Sequence, residues 1–259
     1  MFPGTHSSNM TNTLFIGKVY QYFEEIQSTN DWALEQLAKS KPPDGMVVRA
    51  ATQTVGHGQF GSRWLSPAGQ NLLLSVILYP KWLAARDQFY LSMAMALGLH
   101  ETLDLSDARL KWPNDLYLGS KKAAGILIQN SLNGGTIQSS VVGIGLNVNQ
   151  HEFDTSLPNP TSLAVHTGKT YDLDQLMSRL FTCLERRYLD LKAGRLAEIK
   201  HAYENRLYRM NETTTFVLSK DETAFKGVIR GVNEAGHLRV ELEDGELAQF
   251  DLKAIRMQV

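Results

Sequence analysis

Several things are scarce in this chain, and each shortage excludes something. It has a single cysteine, Cys183, in 259 residues. No intrachain disulfide and no cysteine-rich zinc site can be built, and nothing points to an oxidising compartment. Cys183 reads as a small core residue. Charge of one sign is missing too: 26 Lys and Arg stand against 27 Asp and Glu, a formal net charge of -1. There is no overall basic field to hold nucleic acid. No apolar run approaches the roughly 18 residues that a membrane span needs. The opening MFPGTHSSNMTNT has neither the basic start nor the apolar stretch of a secretion signal. A cytoplasmic enzyme or binding protein that engages neither nucleic acid nor membrane is expected. The rest of the composition, 43% hydrophobic and 20% charged, suits one large domain or a main domain with a small appendage.

Residues 1–13 are rich in Ser, Thr, Asn and Gly and read as a flexible lead-in. Aromatic and β-branched runs predict strands over 18–23, 46–51, 71–78, 108–112, 124–129 and 137–146, with Asn133-Gly134-Gly135 as a hairpin turn between the last two. Ser28 and Asp31 stand in capping-box spacing before apolar residues at helical period, which stop at Lys41-Pro42-Pro43-Asp44-Gly45. Further helices are predicted over 87–103, 173–193 and 196–209. Strands dominate the middle and helices the flanks, so the fold class is α+β, a mixed β-sheet flanked by helices over residues 14–210. From Thr213 onward four short strand patterns alternate with Asp-Glu, Asn-Glu-Ala-Gly and Glu-Asp-Gly turns. They predict a small β-barrel domain over 211–259.

Three clusters carry chemistry. Gly56, Gly58 and Gly61 have the G-x-G-x-x-G spacing of a dinucleotide fingerprint, but that fingerprint must open into a helix whose N-terminus holds pyrophosphate. Here Ser62-Arg63-Trp64-Leu65-Ser66-Pro67 follows, and no acidic residue lies near position 81 to hold a ribose. A glycine-hinged ligand loop remains, against the plainer reading of a surface connection. The second cluster, LKWPNDLYLGSKKAAGILI over 110–128, gathers Lys111, Asp115, Lys121 and Lys122 at strand ends around a Pro113-Asn114-Asp115 turn. Trp112 alone reads better as core. In the third, VVGIGLNVNQ over 141–150, two glycines permit close approach and Asn147 supplies both donor and acceptor, although a bulged strand with a capped end would look the same.

Taken together the clusters resemble one family. STN at 28–30, Q-x-x-G-x-G-x-x-G-x-x-W-x-S-P-x-G-x-N-L over 53–72, KWPND at 111–115, K-x-A-G-I-L over 122–127 and GIGLNVN at 143–149 follow the order found in biotin protein ligases. The terminal β segment is similar to that family's SH3-like domain. The resemblance implies a two-step ligase that makes biotinyl-5'-AMP from biotin and ATP with Mg2+, then passes the biotinyl group to a lysine of a carrier. A biotin carboxyl carrier protein of acetyl-CoA carboxylase would be such a partner. The same resemblance implies that Lys122 and Asp115 are catalytic, with Asp115 also a Mg2+ ligand. Ser28, Thr29, Asn30, Gln53, Gly56, His57, Trp64, Lys122 and Gly125 would bind biotin. His57, Gly58, Gln59, Lys111, Asn114 and Asn147 would bind ATP or the adenylate, Asn147 by reading adenine. The loop departs from the family in carrying His57 and Gln59 where arginines are usual, which implies weaker retention of the adenylate. Because the catalytic pattern begins near residue 14, a ligase without a DNA-binding repressor domain is expected, as a monomer or weak homodimer. A lipoate-type ligase of the same fold and a catalytically weak biotin-binding homologue are the alternatives.

Overall fold

The structure is a computed structural model that describes residues 5–7 and 12–258. Among the described residues, thirteen strands and five α-helices form two sheets with helices on both faces of the larger one.

The larger sheet has eight strands: β1 (Thr5–Ser7), β2 (Val19–Ile26), β3 (Val47–Gln53), β4 (Leu72–Leu78), β5 (Ala108–Lys111), β6 (Asp115–Leu118), β7 (Lys121–Asn133) and β8 (Thr136–Leu146). Their order is β1-β2-β3-β4-β8-β7-β6-β5, and only β2 and β3 run parallel. The mixed sheet expected from the sequence is present. Three residues of the expected lead-in, Thr5–Ser7, form its edge strand; much of the remainder lies outside the described residues.

Between β2 and β3 the chain forms α1 (Thr29–Lys39). Ser28 Oγ accepts from the Asp31 amide at 3.3 Å, as an N-cap should. The box does not close, because the Asp31 carboxylate turns to His57 instead. Ala33 of α1 packs with Val48, Ile77 and Val141 on one sheet face. The opposite face carries α2 (Gln88–Leu103), α4 (Leu173–Lys192) and α5 (Leu196–Glu204), with the short α3 (Leu163–Thr167) leading into them. Helix α2 is apolar almost all round because it is buried almost all round, between the sheet, α4 and α5. No helix among the described residues is long and apolar enough to cross a membrane.

Three element readings need correction. Strand β6 was hidden, since Asp115-Leu116-Tyr117-Leu118 reads as the tail of a turn. Only its neighbours reveal it, with Asp115 paired to Lys111 on one side and Gly125 on the other. Strand β7 runs to Asn133, past its apolar segment, because ladder bonds to β8 continue into an exposed ribbon. Helix α5 ends at Glu204 rather than 209: Leu110 and Tyr208 donate amides to Arg206 O and Leu110 O, so residues 206–208 join the outer edge of β5.

The C-terminal unit has five antiparallel strands, β9 (Thr213–Leu218), β10 (Ala224–Val232), β11 (Leu238–Leu242), β12 (Leu247–Phe250) and β13 (Ile255–Met257), in the order β12-β11-β10-β9-β13. It is an open sheet rather than the closed barrel expected: the edge strands, of four and three residues, do not pair with each other. Its core, with Phe216, Ile229, Val232, Leu238 and Val240, is continuous with that of the larger unit. Trp112, buried as expected, donates Nε1–H to Gly236 O at 2.9 Å and ties the β5–β6 corner to the β10–β11 turn.

Candidate active site

The site lies where the start of α1, the end of β3 and the central strands β6, β7 and β8 meet under the loop 54–71. Lys122 is the second residue of β7 and Asp115 opens β6, one strand over. A bulge in that pairing sets their side chains together, with Lys122 Nζ 2.7 Å from Asp115 Oδ1. Their side chains are 35% and 17% exposed, so the pair is shielded yet reachable. The backbone of Lys122 is held on both sides by the segment 159–161.

The loop folds over this pair. Its Trp64 amide donates to Gly56 O, and Gly58 donates to Ser62 O. The Trp64 ring lies 5.7 Å below Lys122 Nζ and against Gly125 and Gly145. A Cβ at Gly145 would stand 2.5 Å from the indole, so the bare backbone of β8 is the floor on which the ring seats. Gly145→Val should therefore unseat the loop; the expected result is faster proteolysis within 54–71 and loss of the extra protection that biotin plus ATP gives the unsubstituted chain. Equal cleavage of both proteins would refute that role.

Two cavities meet at Trp64 and Lys122. One, about 50 Å3 with the loop in this position, is lined by Ser28, Thr29, Gln53, Gly125, Gly143 and Gly145 among others. At its end Gln53 Oε1 accepts from Thr29 N at 2.7 Å, which leaves the Gln53 amide nitrogen as a donor. Ser28 Oγ accepts from Asp31 N, which leaves its O–H to donate. The other cavity, about 320 Å3, is lined by Trp64, Lys111, Tyr117, Asn147, Phe153 and Leu157. There Asn147 is buried: its Nδ2 donates to Thr161 O at 2.9 Å, while its Oδ1 has no hydrogen-bond partner among the described residues. An unpartnered buried acceptor beside apolar walls is what an amino-bearing aromatic ring would satisfy. Lys111 stands 5.3 Å over the Tyr117 ring, and burial lowers its pKa although Asp115 opposes the shift. Burial pushes the Tyr117 hydroxyl up to about 12, so it remains protonated.

Three expected residues line the smaller cavity with one polar group already engaged. Asn114 spends its amide on Ile126 O at 2.6 Å and pins the corner to β7. Asn30 spends its own on Leu127 O and Gln129 Oε1. His57 points to Asp31, Nε2 to Oδ2 2.8 Å, and so clasps the loop to α1. Gln59, by contrast, lines the first cavity and also a third space of about 700 Å3 between the sheet's end and the C-terminal strands, where Asp115 and Lys122 are reached from outside. Sequence reasoning missed Tyr117 and the 153–160 wall, which no motif marks, and Ser75, hidden in an apolar run.

Residues 22–147 match the biotin/lipoate A/B protein ligase family. The chain is 30% identical over 239 residues to the bifunctional ligase/repressor BirA of Bacillus subtilis, covering 90% of this chain and 72% of that one. The chain belongs to the biotin protein ligases. It is also 32% identical over 221 residues to the biotin--[acetyl-CoA-carboxylase] ligase of Paracoccus denitrificans, covering 82% of this chain and 89% of that one. Among solved structures, the ligase superposes on the biotin protein ligase from Aquifex aeolicus in complex with biotin and ATP with a TM-score of 0.76 at 26% identity, covering 92% of this chain and 99% of that one. In this ligase Lys122 thus lies between two cavities suited to a hydrogen-bonding ring and to an aromatic base.

Proposed function

We propose that this protein is an ATP-dependent, cytoplasmic biotin ligase that makes biotinyl-5'-AMP and transfers the biotinyl group to a lysine of a biotin carboxyl carrier protein, such as that of acetyl-CoA carboxylase. One observation carries the reading: Lys122 lines both cavities, so its ammonium stands where a carboxylate from one and an α-phosphate from the other must meet. Two anions repel, and charge grows on the phosphorus oxygens as the bond forms. A fixed cation there stabilises the transition state more than the ground state. Asp115 holds that cation in place through the 2.7 Å contact.

In the smaller cavity Ser28 O–H and the Gln53 amide nitrogen would donate to the ureido carbonyl. In the larger one Asn147 Oδ1 would accept from the adenine amino group. Among the described residues no group of three or more His, Cys, Asp or Glu is placed to hold a metal. Asp115, a single carboxylate, fits Mg2+ carried in on the triphosphate, since that ion is commonly held by one or two carboxylates plus phosphates and water. When bound, it would supply further charge neutralisation at the phosphates. The acceptor amine must lose a proton before it attacks, and Asp115, facing the open third space, is the carboxylate placed to orient it and take the proton.

With the loop seated, about 50 Å3 is too little for a bicyclic vitamin. The loop therefore lifts to admit biotin and closes over the adenylate, excluding water from a hydrolysable anhydride. The test is incubation with biotin, Mg-ATP and a biotin carrier domain, with lipoate in a parallel arm. The expected outcome is a carrier heavier by one biotinyl group; attachment of lipoate in preference, or no attachment, would overturn the reading.

A further inference from the structure

A buried polar chain runs from the wall of the smaller cavity into the sheet behind it. Ser75 of β4 is fully buried and is not part of the cavity lining. Its Oγ lies 2.5 Å from Asn30 Oδ1 and 2.7 Å from Thr29 Oγ1. Asn30 is in turn anchored across the sheet, its Nδ2 donating to Gln129 Oε1 at 2.9 Å and Leu127 O at 3.4 Å. Gly143, paired with Ser75 in the neighbouring strand, makes this possible, because a Cβ there would stand 2.2 Å from Asn30 Oδ1.

Counting protons orients the chain. Leu127 O can only accept, so Asn30 turns Nδ2 toward β7 and Oδ1 toward Ser75. A carbonyl-type oxygen also only accepts, so the Ser75 proton belongs in the 2.5 Å contact. The 2.7 Å contact between two hydroxyls still needs a proton, and Thr29 is the only one of the pair with one left. Gln53 Oε1 accepts from the Thr29 backbone amide at 2.7 Å and lies 3.1 Å from Thr29 Oγ1, so it is a second, longer destination for the Thr29 proton that also leaves the Thr29 lone pairs free. Thr29 is left presenting lone pairs to the cavity, beside the donors on Ser28 and Gln53.

We infer that Ser75 is a positioning residue that makes Thr29 an acceptor, so that the cavity selects a ring bearing an N–H beside a carbonyl. Without Ser75 the Thr29 hydroxyl loses its 2.7 Å partner and is free to turn its proton toward the ligand, and an N–H on the ring then gains less. The inference rests on the smaller cavity being the biotin site.

The test compares biotin with the two cyclic carbamates in which one ureido N–H is replaced by ring oxygen, by calorimetry and by adenylate formation. One hydrogen bond contributes about a factor of ten in affinity, so the unsubstituted protein should prefer biotin to at least one carbamate by about that much. In Ser75→Ala the preference should fall to about threefold or less, with a biotin KM raised about tenfold and kcat and the ATP KM within about twofold. Ser75→Cys, which keeps the volume but offers only a weak donor, should behave alike and guards against a cavity effect in the alanine variant. Loss of affinity for biotin and carbamates by the same factor, or no initial preference, would overturn the inference. Failure of the unsubstituted protein to bind biotin at all would instead sink the functional reading beneath it.

Discussion

Lys122→Ala should slow adenylate formation by about 10²-fold or more, the cost of removing one preorganised charge from a developing anion. The size follows from where Lys122 stands. Its ammonium is partly shielded, braced by Asp115 at 2.7 Å and seated 5.7 Å over the Trp64 ring, so it is already in place when charge develops and needs no reorganisation. Among the described residues Lys122 is the only lysine or arginine that lines both cavities. Lys111 and Arg63 line the larger cavity but not the smaller one. The measurement is single-turnover pyrophosphate release at saturating biotin and ATP, with biotin affinity and thermal stability followed alongside. The substitution also leaves Asp115 without its partner, so a lower melting temperature is expected, but that alone does not slow the chemistry of the folded fraction. Release at the normal rate would show that Lys122 is not the stabilising cation. Lys122→Arg should recover only part of the rate, because a planar fork does not occupy the position of a compact ammonium above an indole.

Gln59→Arg, alone or with His57→Arg, should slow escape of biotinyl-5'-AMP by about ten- to a hundredfold, the equivalent of one charge-assisted hydrogen bond of about 1.5–3 kcal/mol. The sequence treats the two positions alike, but the structure separates them. His57 is turned to Asp31 and holds the loop to α1, a contact an arginine at 57 can keep. Gln59 lines the smaller cavity and the outer space together, and a guanidinium there would offer forked donors to a phosphate where glutamine offers an uncharged amide. The larger share of the effect is therefore expected from position 59. Dissociation of pre-formed adenylate and the labelling of bystander lysines are the readouts, and both should fall together. No change in the double variant would mean that the backbone amides of the loop hold the phosphate unaided.

The sequence alone determined most of the larger fold and the identity of the groups at the site. Apolar runs bounded by turn residues marked β3, β4 and β8, most continuously β4, which is buried at every position. The helical period after Ser28, and the apolar stretch that became α2, were legible for the same reason: local patterning and burial agree there. Polar residues at strand ends marked Lys111, Asp115, Lys121, Lys122 and Asn147 as candidates, and the resemblance to the biotin protein ligases singled out Lys122, Asp115 and Asn147 among them.

Tertiary structure alone decided what depends on partners distant in sequence. Strand β6 is four residues long and is defined by the strands on either side of it, not by its own pattern. The openness of the C-terminal sheet depends on whether β12 and β13 meet, and no local propensity encodes that. The same holds within the site. Asn30, Asn114 and His57 have the chemistry to bind a ligand, yet the Asn30 and Asn114 amide nitrogens and His57 Nε2 are committed to Gln129, Ile126 and Asp31. Ser75, one hydroxyl inside an apolar run, gains its place only because β4, β8 and the start of α1 bring it against Thr29 and Asn30. A sequence specifies which donors and acceptors exist; which of them remain free is settled by the contacts the fold makes among them.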